Sequence, residues 1–151
     1  MAEANPSGAF ERVSTRRRID GSVVSLDLPF EIARLRTDRA YEQERHAGRT
    51  LAKYPDLRVV LETMKPGARL PFHESAERTT LQVVVGQLRA WFRDGENCDL
   101  YEGSFAAIDT ARLHEIECLE ECAFLLTLAW PPTMPHARVY EEPGGTGSSG
   151  S

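Results

Sequence analysis

Cysteine is scarce: Cys98, Cys118 and Cys122 make an odd count with no Cys-X-X-Cys pair. A disulfide framework is therefore not expected, and free thiols in a reducing compartment are the simpler reading. Long hydrophobic runs are missing too, since no stretch approaches the roughly 20 apolar residues that a membrane helix needs. Positive charge is in deficit: 18 Lys and Arg against 23 Asp and Glu leave a net charge of -5 and a pI near 5.4. That balance argues against nucleic acid or anionic lipid as the main partner and leaves small molecules and other proteins. Arg16, Arg17 and Arg18 resemble the start of a twin-arginine export signal, but "IDGSVVSLDLPFE" follows with acids and a proline where a continuous apolar stretch is required. A cytoplasmic protein is the resulting expectation.

What is present is ordinary globular material. The chain has 151 residues, 41% hydrophobic and 27% charged, enough for one domain with a sizeable core. Residues 1–20 are polar and aperiodic and are expected to form a flexible arm, and 143–151 read as a disordered Gly/Ser tail. Between them, residues 21–142 form a single unit. Asp27 as a cap, Pro29 in a first turn, and Ile32 and Leu35 one turn apart predict one or two short helices over 28–46, with Thr37 and Asp38 able to recap a second piece.

From Thr50 onward the pattern changes to short runs rich in Val, Leu, Phe and Trp, separated by turn residues every eight to twelve positions. Lys65-Pro66-Gly67 and Asp94-Gly95 read as turns, and two prolines after Trp130 end the last run. Eight or nine short antiparallel strands of this kind predict an all-β barrel or double-sheet jelly roll, whose interior is the natural ligand site.

Two histidines stand in regular frames. Gly67 is followed by five residues, then His73, Glu74 and Ser75, then Thr79 four positions on, and Gly86 after six more. Gly103 is followed by five residues, Asp109, Thr110 and Ala111, two residues, His114, three residues and Cys118. Both frames, and the closing "ECAFLLTLAWPP", resemble the cupin family over residues 50–131. The resemblance implies a jelly-roll barrel, commonly a homodimer, with functions from dioxygenases and isomerases to the binding of sugars and effectors. It also implies a metal site, of which His73 and His114 keep two positions while Ser75 and Thr79 replace the second histidine and the glutamate. Asp109, Ala111 and Cys118 depart from the second motif.

A strand places residues i and i+2 on one face, so His-X-His would offer two imidazoles to one ion, and here the second is a hydroxyl, a poor ligand for transition metals. Catalytic sites usually supply three protein ligands and an open position. Glu77 is the first local candidate to complete the set and Glu62, in "LRVVLETM", the next. Cys118 lies about 13 Å along a strand from His114, too far to share an ion. Two expectations follow: a divalent Fe, Mn, Zn or Ni ion on His73, His114 and Glu77, or no tightly bound ion and a small polar ligand met by His73, Ser75, Thr79, Gln82 and His114. Gln82 has an alternative placement on a face toward solvent or a partner chain. Arg69, Arg89 and Arg93 read either as an anion clamp or as a solvated strand face, and Trp91 and Phe92 should point to opposite sides. The favoured function is a small-molecule-binding barrel. Its rivals are a metal-dependent dioxygenase or isomerase and a homodimeric interaction module.

Overall fold

The computed structural model describes residues 18–72, 78–109 and 112–130. His73, Ser75 and Glu77, residues 1–17 and the Gly/Ser tail lie outside them. Helix α1 (Leu28–Arg36) begins where the Asp27 carboxylate accepts from the Phe30 N–H, with Pro29 in its first turn. Its end at Thr37 is followed at once by Asp38, whose carboxylate accepts from the Ala40 N–H at 3.1 Å and starts α2 (Arg39–Glu44). Arg45 then takes a left-handed turn, φ 70°, which stops α2 and lets the first strand begin at His46, four residues before the strand pattern becomes visible in the sequence.

Seven strands follow among the described residues: β1 (His46–Tyr54), β2 (Leu57–Met64), β3 (Arg69–Pro71), β4 (Arg78–Phe92), β5 (Asn97–Tyr101), β6 (Phe105–Ile108) and β7 (Leu113–Ala129). All pairings are antiparallel. The count falls below eight or nine because two runs that Gly86 separates in the sequence, "TLQVVV" and "QLRAWFR", are one strand, β4, and the runs "LHEIEC" and "AFLLTLAW" are one strand, β7. Gly86 bends β4 instead of ending it. The first half of β4 pairs with β6 and the C-terminal half of β7; the second half pairs with β5 and the N-terminal half of β7.

These two long strands therefore belong to both halves of the sheet. Leu81, Val83, Phe124 and Leu126 from one half and Leu88, Ala90, Leu100 and Ile116 from the other share one buried cluster, so the halves face each other across a core, as in a jelly roll. On the outer face, Ile32, Leu35 and Tyr41 of the helices pack on Ala47, Leu51, Leu61 and Ala123. Part of the segment ahead of the helices is pinned as well: Lys53 N–H donates to the Ile19 carbonyl and the Tyr54 hydroxyl to the Gly21 carbonyl. The tied segment thus starts by Ile19, inside the stretch expected to be a flexible arm.

Candidate functional site

Of the three expected ligand-binding residues that the structure describes, Thr79, Gln82 and His114, one lies inside. β4 is regular from Arg78 to Val83, so Thr79, Leu81 and Val83 face the core, and Thr79 is 7% exposed between Ile108 and Leu128. Gln82 alternates with them and is exposed on the outer face, so the reading as an amide clamp inside the cavity gives way to its solvent-facing alternative. His114 is exposed too. Alternation breaks there, with Leu113 and Ile116 both buried and a register shift opposite Trp91 and Phe92, and the extra residue of a bulge turns His114 out of the core face. It lines an open cleft of about 540 Å³ with Arg69, Trp91, Phe92, Arg93 and Glu115.

The neighbouring arginines are engaged across strands. Arg89 grips Asp99 at 2.6 and 3.1 Å, and Arg69 contacts Glu115 at 2.9 Å and Glu117 at 3.2 Å. Trp91 donates to Glu117, while Phe92 packs on the core. For Arg69 and Arg89 this is the solvated ladder of a strand face. All three cysteines are free, and Cys118 is buried with its thiol directed to the Met64 and Glu120 carbonyls. Among the described residues no three His, Cys, Asp or Glu side chains converge so as to hold a metal ion. Two of the three expected ligands, His73 and Glu77, lie outside the described residues.

A different carboxyl does face inward. Along β2, Val60, Glu62 and Met64 share the side of the core cluster, and Glu62 is the direct partner of Phe124 on β7 and of Gly48 on β1. Burial pushes its carboxyl up to about 7, because the charged form loses its water without gaining a cation. Among the described residues Oε1 is shielded from solvent and has no hydrogen-bond partner. Gly48 makes room for it: a Cβ there would stand 2.3 Å from Glu62 Oε2.

Across the strand pair, His46 and Thr50 flank Gly48 on the same face. With Glu44, Val60 and Glu62 they line a cleft of about 340 Å³ at the open edge of β1. A protonated carboxyl can donate one hydrogen bond and accept another, and with His46, Arg49 and Thr50 in the same lining it suits a polar ligand. The sequence signal for it was an acid at inward parity in "LRVVLETM", between Val60 and Met64.

No family model matches the chain. No curated protein matches it in sequence. Solved structures do resemble it. A conserved protein of unknown function from Streptococcus pyogenes aligns over 77% of this chain and 95% of its own, with 19% identity and a TM-score of 0.58. An RmlC-like cupin from Desulfovibrio desulfuricans aligns over 59% of this chain and 86% of its own, at 16% identity and a TM-score of 0.53. A salicylate 1,2-dioxygenase from Pseudoaminobacter salicylatoxidans aligns over 83% of this chain but 38% of its own, at 13% identity and a TM-score of 0.66. At such identities the likeness speaks to architecture, and the architecture is plain: this chain has the cupin jelly-roll fold.

Proposed function

We propose that the chain is a small-molecule-binding cupin barrel in which Glu62 hydrogen-bonds the ligand from the inner face of β2. The observation that supports this reading is the shielded, unpartnered Oε1 of Glu62 beside an open cleft, with Gly48 leaving space for the carboxyl. A shielded, unpaired polar group costs about 1–3 kcal/mol, a cost that a bound ligand offsets by supplying the partner. The metal-dependent alternative requires His73 and Glu77 to join an exposed His114.

A thermal-shift panel of sugars, amino acids and carboxylates at pH 6 and pH 8.5 tests the reading. A ligand at a hundredfold its dissociation constant adds about 2.7 kcal/mol, or roughly 5–10 °C in a domain of this size. The shift is expected to be larger at pH 6, where Glu62 still carries its proton, and to vanish in Glu62→Leu. If no organic compound raises Tm while divalent ions do, or if every compound that stabilises the native chain stabilises Glu62→Leu equally, the proposal fails.

A further inference from the structure

A second cavity, of about 340 Å³, lies at the far end of the β1–β2 hairpin and is lined by Ile19, Asp20, Lys53, Tyr54, Pro55, Arg58 and Trp130. A bulge between Thr50 and Ala52 shifts the register of β1, which brings Lys53 directly opposite Arg58. Two like charges facing each other across an antiparallel pair repel. Among the described residues neither has a carboxylate within ion-pair distance, and Arg58 Nε is shielded from solvent without an acceptor. The one acid in the lining, Asp20, is held by Arg18 at 3.2 Å.

The walls are fixed and largely apolar. The Trp130 ring lies 5.8 Å from the Arg58 guanidinium carbon, and the Trp130 backbone N–H donates to the Asp56 carbonyl. The Tyr54 hydroxyl is tied to the Gly21 carbonyl at 2.6 Å. A guanidinium and an ammonium on one side, with an indole beside them, match an anion attached to an apolar body: the anion relieves the repulsion and takes the forked donors of Arg58, and the body lies against the ring. The volume is at the lower end of ligand pockets, enough for a ring-sized molecule. Arg58 and Glu62 are four strand residues apart, about 13 Å, so this is a site apart from the Glu62 cleft.

We propose that Lys53 and Arg58 form a binding site for small carboxylates with an apolar body. The test uses the full chain and two probes of nearly the same shape, phenylacetate and the uncharged phenylacetamide, titrated by calorimetry to about 10 mM, where an interaction of about -4 kcal/mol is well past half-saturation. Phenylacetate is expected to bind at least about tenfold more tightly than the amide, and Arg58→Gln to weaken it by about the same factor, a tenfold change being about 1.4 kcal/mol. Glu62→Leu should leave phenylacetate binding unchanged, which separates this site from the barrel reading. Should Arg58→Gln lose the native Tm, Lys53→Gln, at an exposed position, repeats the comparison. Equal affinity for acid and amide, unchanged affinity in the charge-removed variant, or no binding of phenylacetate by 10 mM overturns the proposal.

Discussion

Gly86→Ala is expected to destabilise the fold by about 3 kcal/mol or more, and Gly95→Ala by about 1. Both glycines have positive φ, 83° and 95°, so each pays roughly 1–2 kcal/mol for a left-handed L-residue. The difference is space. A Cβ at Gly95 meets nothing within 4 Å, whereas at Gly86 it would stand 2.0 Å from the Glu121 carbonyl oxygen and 2.8 Å from the Cys122 Cα. Those atoms are backbone of β7 at the place where both long strands bend, and they cannot rotate away. Overpacking adds about 1–3 kcal/mol, a large part of a total stability of about 5–15. Urea unfolding of both variants, followed by tryptophan fluorescence, measures it. A Gly86→Ala variant no weaker than Gly95→Ala would show that the bend tolerates separation of β4 from β7 there.

Glu62→Gln is expected to be more stable than the native chain at pH 8.5 by about 3 kcal/mol and close to it below pH 5. The native carboxyl holds its proton up to about 7, against an ordinary value of 4.5, so the folded state binds more protons than the unfolded chain between those values. Stability from this group is therefore fully present below about pH 4.5, falls as pH rises toward 7, and stays low above it. A rise from 4.5 to about 7, at about 1.4 kcal/mol per tenfold in proton affinity, gives about 3 kcal/mol. Other titrating groups cancel in the difference between variant and native unfolding free energies. A difference that does not change between pH 5 and pH 8.5 would mean that Glu62 is solvated or ion-paired in solution.

Local patterns carried the architecture. Asp27, Pro29 and Asp38 mark helix starts through bonds made within three residues, and they stand where the sequence places them. Alternation marks Trp91 and Phe92 as opposed, because a strand's side-chain period is two wherever the strand is regular, while the inward placement of Thr79 came from the cupin resemblance. The glycine frames pointed to the jelly roll, since positive φ at Gly67, Gly86 and Gly103 is a backbone requirement that survives changes of ligand. Where alternation fails the sequence is silent. The bulge that turns out His114, and the one that sets Lys53 opposite Arg58, each insert a single residue, and nothing in a run of amino acids announces which residue it will be.

By itself, then, the sequence determined an antiparallel β fold with a short helical lead-in, because capping, alternation and turn chemistry act between residues close in the chain, and its glycine frames carried the resemblance to cupins. Only the tertiary structure decided which polar groups face the interior. Glu62 became the candidate site residue because Gly48 on one neighbouring strand yields the space and Phe124 on the other excludes the water. Those residues are far from Glu62 in sequence, and burial without a partner is a property of the assembled neighbours, not of the glutamate.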